Sequence, residues 1–222
     1  MTVPERRALL HLEEDVDGVE VVTSSGPARV SVTGATGRPA GTLVLTHGAG
    51  GGVRAPDLGA LAATAHGTGF AVVAVEQPYR VAGRRSPPAP VPQDAAWVEV
   101  LAALAVVPPL VLAGRSNGAR VACRTAAGCG AAGVVALAFP VHPPGRPDSS
   151  RLAELAAAPC PVLVVQGERD PFGVPGRARG RRIVVLPGAV HDLRRAEPVI
   201  QREVRTFLRR IARSAGTTPV GS

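Results

Sequence analysis

Short, almost continuously apolar segments recur along the chain, and alanine-rich stretches with polar positions separate them. Continuous apolar character, rather than alternation, is typical of parallel strands that helices cover on both faces. We therefore predict strands at residues 42–46, 70–75, 110–113, 134–138, 162–166 and 183–186. Helical composition between and after them predicts helices at residues 57–66, 94–106, 117–127, 150–157 and 197–212.

Two earlier segments, 19–23 and 29–33, instead alternate polar and apolar residues. Ser-Ser-Gly-Pro separates them, so we predict an antiparallel hairpin on the edge of the sheet. Alternating strands and helices predict a doubly wound, mostly parallel α/β fold. The length of 222 residues suits one domain, over residues 1–213. Residues 214–222 are small and polar, and we expect them to form a disordered tail.

The net charge of +8 raises the question of a nucleic-acid partner. All 25 basic residues are arginine, however, in a chain rich in alanine, glycine and proline, and this pattern is typical of GC-rich coding. Aromatic residues make up only 3% of the chain, which argues against a surface on which bases stack. We interpret the densest basic cluster as a solvated loop, with a polyanion site as the alternative. The cluster consists of Arg177, Arg179, Arg181 and Arg182.

Nothing in the chain predicts a membrane segment or a metal site. Acidic residues at positions 13–17 come too early for an apolar leader, and Pro108 and Pro109 interrupt the longest apolar stretch. The three cysteines form no C-x-x-C pair, and with the histidines they form no cluster of metal ligands. We expect a cytoplasmic protein with reduced cysteines, no metal and no organic cofactor.

The strongest chemical motif follows the strand at residues 110–113. Gly114-Arg115-Ser116-Asn117-Gly118 fits G-x-S-x-G and leads directly into a predicted helix. This strand–turn–helix setting is the one that a nucleophile elbow requires, with a serine hydroxyl exposed at the top of the sheet. The glycines on either side of Ser116 allow the turn to be tight. We therefore predict Ser116 as a nucleophile.

A nucleophilic serine needs a base and an acid that orients the base. Of the five histidines, only His191 follows the last predicted strand. Asp170 follows the strand at 162–166 and precedes a proline, which makes it the preferred acid, with Glu168 as the fallback. Asp192 adjoins His191 too closely in sequence to orient its ring. Ser116, Asp170 and His191 occur in the chain order of an α/β nucleophile-elbow triad.

The first long strand ends in His47-Gly48-Ala49-Gly50-Gly51-Gly52. Acyl transfer needs N–H donors for the oxyanion, and a glycine-rich loop lets the backbone approach the substrate. We predict that Ala49 and Asn117 supply these donors, with Gly50 as the next choice for the loop. We expect His47 to brace the loop rather than act chemically.

The same loop supports a different class of function. Gly50 and Gly52 fit G-x-G-x-x-A after a strand, and Glu76 ends the next strand where a ribose-binding acid would lie. A dinucleotide-binding protein is therefore an alternative. It leaves Ser116, Asp170 and His191 unexplained, and Pro56 and Asp57 look like a helix start that comes after the glycines.

From residue 42 to residue 191 the chain resembles an α/β-hydrolase. In particular, it resembles small bacterial hydrolases that are related to dienelactone hydrolases. These bacterial proteins are also related to a hydrolase domain in a subunit of a eukaryotic histone acetyltransferase complex. The motifs that carry this resemblance are Ser116, Asp170 and His191 in their contexts, with segments 47–51, 76–80, 82–85, 95–97, 138–147 and 166–173. It implies Ser116 as the nucleophile, Asp170 as the acid and His191 as the base. The eukaryotic relatives suggest a second alternative, a protein-binding scaffold with a vestigial site.

We therefore expect a serine hydrolase that cleaves a small ester or thioester, as a monomer or weak homodimer without nucleic-acid or membrane partners. The segment after residue 139 is too short for an independent cap, so the site should be open. We expect that nearby loop residues contact the substrate: Gly50, Tyr79, Arg80, Phe139, His142 and Phe172.

Overall fold

The computed structural model describes residues 10–216 and contains one eight-stranded sheet. Its order is β1-β2-β4-β3-β5-β6-β7-β8. β1 pairs antiparallel with β2 and β2 with β4, whereas the pairs from β4 to β8 are all parallel. The fold class, including the hairpin on the edge, is therefore as predicted. The strands are β1 Val16–Thr23, β2 Gly26–Thr33, β3 Gly41–Thr46, β4 Phe70–Glu76, β5 Leu110–Arg115, β6 Gly133–Leu137, β7 Val162–Gly167 and β8 Arg181–Leu186.

Helices cover both faces of the sheet and create two hydrophobic clusters. Val44 of β3 points into one cluster, whereas Leu43 and Leu45 point into the other. Because successive strand residues face opposite sides and both sides are dry, the central strands are apolar at nearly every position. The helices are α1 Pro56–His66, α2 Pro78–Val81, α3 Pro90–Ala102, α4 Asn117–Thr125, α5 Leu152–Ala156 and α6 Glu197–Gly216.

Several boundaries differ from the predictions. Helix α3 begins at Pro90 rather than residue 94, because proline is tolerated in the first turn, where no N–H is needed. It ends at Ala102, and a bridge between Leu104 and Leu10 follows it. The short helix α2 was not predicted. Helix α6 continues to Gly216, so residues 214–216 of the predicted tail are helical, and residues 217–222 lie outside the described chain.

None of the helices within residues 10–216 has the length and apolar character that a membrane crossing requires. Parallel strands bring the loops that follow β3, β5, β7 and β8 to the same edge of the sheet. The predicted chemical residues lie in these loops.

Candidate active site

The turn between β5 and α4 holds Ser116 in a backbone conformation that few L-residues adopt, with φ 52° and ψ −113°. Its two flanking glycines are required by close backbone contacts. A Cβ on Gly114 would lie 2.3 Å from the carbonyl carbon of Gly118. A Cβ on Gly118 would lie 2.6 Å from the carbonyl oxygen of Thr46. The predicted strand–turn–helix setting is present, and the strained turn lifts Ser116 above the sheet.

The structure brings Ser116, His191 and Asp170 together in one chain of hydrogen bonds. His191 Nε2 lies 2.9 Å from Ser116 Oγ, and His191 Nδ1 lies 2.8 Å from Asp170 Oδ2. Since the carboxylate only accepts, Nδ1 carries the proton and Nε2 is left to accept the serine proton. This is the tautomer that a general base needs.

Asp170 is held by two further donors at the end of β7. The N–H of Phe172 donates to Asp170 Oδ1 at 2.9 Å, and Gln166 Nε2 donates to Asp170 Oδ2 at 2.8 Å. The Asp170 side chain has no exposed surface. Gln166 was not among the predicted site residues, although a glutamine near the end of an apolar strand was a signal that it has a buried polar partner.

The two other acids that were considered near the site are engaged elsewhere. Glu168 Oε2 accepts a hydrogen bond from the N–H of Gly188 at 2.8 Å, and Asp192 pairs with Arg194 at 2.7 Å. Neither carboxylate bonds the ring of His191. The geometry therefore favours Asp170 over Glu168 as the orienting acid.

The glycine-rich loop after β3 is braced through its carbonyl groups. His47 Nε2 accepts from the N–H of Gln77 at 3.0 Å, and Nδ1 donates to Gly48 O at 2.8 Å. Burial lowers the pKa of His47, which keeps the ring neutral and suited to this pair of bonds. The hydroxyl of Tyr79 donates to Ala49 O at 3.2 Å. Within residues 10–216, the N–H groups of Ala49 and Asn117 donate to no acceptor.

Asn117 follows Ser116 directly and is the first residue of α4. Its Nδ2 is buried and has no hydrogen-bond partner among the described residues, so it does not bond the loop at Ala49.

Arg115, which precedes Ser116, connects several loops of the site. Its Nε donates to Asp57 Oδ2 at 2.7 Å, and its Nη2 donates to the carbonyl oxygen of His191 at 3.1 Å. The Arg115 side chain is 18% exposed and that of Asp57 is 4% exposed. Burial raises the pKa of Asp57, and the neighbouring guanidinium opposes this shift. Neither residue was predicted from the sequence as part of the site.

The structure corrects one predicted substrate contact. Phe139 has no exposed surface and packs in the hydrophobic core. Phe139 follows Ala138, whose φ is 48°, and its ring lies among the buried side chains of one hydrophobic cluster rather than at the site. The prediction that Phe139 contacts the substrate is therefore wrong.

The other predicted contacts lie in loops at the carboxyl ends of the strands or next to these loops. The Phe172 ring lies 4.2 Å from the His191 ring, at an interplanar angle of 33°. His142 packs against the same loop, since a Cβ on Gly173 would lie 2.6 Å from His142 Nε2. Arg80 Nη1 donates to Arg84 O at 3.1 Å. Gly50 is exposed, whereas Tyr79 is mostly buried beneath the glycine-rich loop.

The geometry does not support the dinucleotide alternative. Helix α1 begins at Pro56, after the glycines, so Gly50 and Gly52 do not form its N-terminus. Its first turn carries Asp57, whose carboxylate would repel a pyrophosphate. Glu76 pairs with Arg29 at 3.3 Å instead of remaining available to a ribose.

The basic cluster lies away from the candidate site. Arg181 and Arg182 begin β8, at the opposite end of the sheet from the loop that contains Ser116. With Arg177 and Arg210 they line an open cavity of about 590 Å³. The cluster therefore contributes nothing directly to the chemistry of Ser116. Within residues 10–216, no group of three or more His, Cys, Asp or Glu side chains is placed to hold a metal ion.

Comparison with solved structures places the fold among the α/β hydrolases. A lidless α/β serine hydrolase of Xanthomonas campestris has a TM-score of 0.69 and 20% identity, over 89% of this chain and 94% of that one. A dienelactone hydrolase of Anabaena variabilis has a TM-score of 0.67 and 17% identity, over 90% and 99%. An esterase of Pyrobaculum calidifontis has a TM-score of 0.61 and 19% identity, over 91% and 85%.

A search of curated proteins gave no significant match. The sequence profile described as "Alpha/beta hydrolase domain" matches residues 39–202, which include the loops that carry Ala49, Ser116, Asp170 and His191. The chain belongs to this alpha/beta hydrolase domain family.

Proposed function

We propose that the protein is a serine hydrolase that cleaves a small ester or thioester through an acyl-enzyme on Ser116. One observation carries this proposal: the hydrogen-bonded chain from Ser116 Oγ through His191 to the buried Asp170 carboxylate. Each of the three side chains follows a different strand, and their convergence on the strained turn is the arrangement that activates a serine.

The reaction follows from the positions of the donors and acceptors. His191 Nε2 takes the Ser116 proton as Oγ bonds to the carbonyl carbon, and Asp170 stabilises the imidazolium. The N–H groups of Ala49 and Asn117 donate to the oxyanion. As the tetrahedral intermediate collapses, the bond to the alcohol or thiol breaks and His191 protonates the leaving group. Water then attacks the acyl-enzyme in the same way, which frees the acid and regenerates Ser116.

An accessible site supports small or exposed substrates. Residues 138–151, which connect β6 to α5, contain neither helix nor strand, so this connection provides no cap. The structural relatives include a serine hydrolase described as lacking a lid, a dienelactone hydrolase and an esterase. We propose that Gly50, Tyr79, Arg80, His142 and Phe172 contact the substrate.

A fluorophosphonate probe tests the proposal, because it labels only an activated serine. We expect covalent labelling of the wild-type protein and none of Ser116→Ala, while the exposed Ser86→Ala variant labels as the wild type does. A series of p-nitrophenyl esters and acyl thioesters of graded length should then give turnover that decreases with acyl length. Absence of both labelling and turnover in a folded wild-type protein would contradict the hydrolase and favour the scaffold alternative.

We further propose that the protein acts in the cytoplasm, as a monomer or weak homodimer without a nucleic-acid partner. Three free cysteines fit a reducing compartment, and burial raises the pKa of Cys123 to about 12, which keeps its thiol unreactive. Size-exclusion chromatography with light scattering would give the oligomeric state.

A further inference from the structure

We propose that Arg115 is a positioning residue that fixes the His191 loop against the nucleophile turn and the glycine-rich loop. This inference rests on the proposed hydrolase function. Arg115 is the neighbour of Ser116 in the chain, yet its guanidinium contacts segments that are distant in sequence. One side chain therefore connects the three loops that carry the nucleophile, the base and an oxyanion donor.

Two directional bonds define the position of the guanidinium. Nε donates to Asp57 Oδ2 at 2.7 Å, in the first turn of α1, and Nη2 donates to the backbone carbonyl of His191 at 3.1 Å. A Cβ on Gly48 would lie 3.4 Å from Arg115 Nη1 and 3.3 Å from Ser116 Cβ, so Gly48 leaves little space between the glycine-rich loop and these two residues. Asp57 fixes the planar group through Nε, and this directs Nη2 to the His191 loop.

The His191 loop needs such an anchor because of its backbone conformation. Leu193 and Arg195 both have positive φ, at 49° and 60°, which is costly for residues other than glycine. Strained segments of this kind persist where the surrounding structure holds them. Leu193 is buried and holds the loop from the apolar side, and Arg115 supplies a polar attachment at His191 itself.

The bond from Arg115 affects the position of His191, and Arg115 takes no part in the proton transfer from Ser116. Arg115 bonds the backbone of His191 but neither its ring nor Ser116 Oγ. Loss of the guanidinium should therefore impair the alignment of Nε2 with Oγ. A misplacement of about 1 Å in such a pair can cost on the order of 100-fold in rate.

The chain offers a matched control in Arg120, four residues after Ser116. Its side chain is 16% exposed, close to the 18% of Arg115, and it forms a two-bond ion pair with Glu154 at 2.6 and 2.7 Å. Among residues 10–216 the Arg120 side chain bonds Glu154 in α5 and does not bond the loops of Ala49 or His191. Arg120→Ala therefore removes a comparable ion pair while leaving the candidate site in place.

We expect Arg115→Ala to lower the rate of fluorophosphonate labelling and the kcat for a p-nitrophenyl ester by about 10- to 100-fold, with KM changed much less. Arg120→Ala should lower Tm at least as much and keep both rates within about twofold. Arg115→Lys should restore only part of the rate, because an ammonium cannot present two fixed donors. All rates are measured well below the Tm of each variant. The proposal would be overturned if Arg115→Ala kept both rates within about twofold of wild type. It would also be overturned if Arg120→Ala lost as much of the rate as Arg115→Ala.

A measurement independent of activity separates this inference from the proposed function. Hydrogen–deuterium exchange over residues 187–196 should be faster in Arg115→Ala than in the wild type and unchanged in Arg120→Ala. If the wild type neither labels nor turns over esters, the hydrolase proposal fails, whereas unchanged exchange in Arg115→Ala refutes the positioning role. Should Arg115→Ala fail to fold, Asp57→Asn, which keeps an acceptor for Nε, should give a smaller change in the same direction in both measurements.

Discussion

The side-chain amide of Gln166 donates to the carboxylate of Asp170 at 2.8 Å, and the same nitrogen donates to Gly173 O at 2.8 Å. Gln166 is fully buried in β7, four residues before Asp170. Asp170 Oδ2 therefore accepts from Gln166 and from His191 at once. Together with the N–H of Phe172, which donates to Oδ1, the bond from Gln166 helps to hold the carboxylate toward the His191 ring.

Removing that donor should weaken both stability and catalysis. Gln166→Leu leaves the carboxylate with one partner fewer, which we expect to cost about 1–3 kcal/mol of unfolding free energy. It should also lower kcat, because the N–H of Phe172 alone then holds the Asp170 carboxylate toward His191, and less firmly. Chemical denaturation and ester hydrolysis measure the two effects. Gln201→Leu, at an exposed position in α6, is the control, and equal activity in the two variants would contradict the role of Gln166.

The glycines of the nucleophile turn should tolerate no side chain. In Gly114→Ala the new Cβ would lie 2.3 Å from backbone of Gly118, and this backbone cannot move without displacing α4. We expect a loss of about 3 kcal/mol or more, seen as a lower denaturation midpoint. Gly59→Ala is the matched control. Nothing lies within 4 Å of its new Cβ, so helix propensity should stabilise α1 by about 0.5–1 kcal/mol.

Tyr79 provides a test of the glycine-rich loop. Burial raises the pKa of Tyr79 to about 12, so the phenol stays protonated and donates to Ala49 O throughout the neutral range. Tyr79→Phe should lower kcat about 3- to 10-fold and cost about 0.5–1.5 kcal/mol of stability, because one hydrogen bond to the loop is lost. Steady-state kinetics distinguish the two roles considered for this residue. A rise in KM with kcat unchanged would indicate that the Tyr79 hydroxyl binds the substrate and does not brace the loop.

The ion-pair cluster of Glu154 should make stability depend on acid pH. Burial acts to raise the pKa of Glu154, but hydrogen bonds from Arg120 and Arg124 outweigh it, and the pKa lies below its ordinary value. A carboxyl whose pKa is lower in the folded state binds a proton more readily when unfolded. Its contribution is therefore complete above the ordinary pKa of about 4.5 and is lost as pH falls through the folded value.

Urea denaturation at several pH values between about 3 and 7 measures this dependence. We expect Glu154→Gln to reduce stability at neutral pH and to flatten the decline toward acid. Gln201→Leu, which removes no carboxyl, should leave the pH dependence as it is in the wild type. Parallel pH profiles for wild type and Glu154→Gln would contradict this account.

Much of the fold could be predicted from the pattern of apolar and polar residues along the chain. The central strands are apolar on both faces because Leu43 and Val44 enter different hydrophobic clusters, and this pattern is visible in the sequence. The start of α3 was misplaced because proline-rich segments resemble loops, although Pro90 begins the helix. Which strands are neighbours is not encoded in these local patterns, so the position of β4 between β2 and β3 required the structure.

In the candidate site, too, some features could be predicted from sequence and others required the structure. The tight turn could be predicted from sequence, because Gly114, Ser116 and Gly118 lie within five residues of each other. The sequence also predicted that Asp170 and His191 each follow a strand, and parallel strands end at the same edge of the sheet. The partners of Arg115 are 58 and 76 residues away, and its contacts depend on how α1 and the His191 loop pack. Phe139 shows the same limit, because its ring is buried by side chains from strands and helices that are distant in sequence.

The sequence by itself determined the type of each main element, the α/β class and the three residues proposed to react, because periodic burial and tight-turn sterics act between near neighbours. Only the tertiary structure decided which donors hold Asp170 and which contacts join Arg115 to the His191 loop. A hydrogen bond depends on distances of a few tenths of an ångström between atoms that are far apart in the chain, and those distances exist only once the whole sheet and its helices have packed.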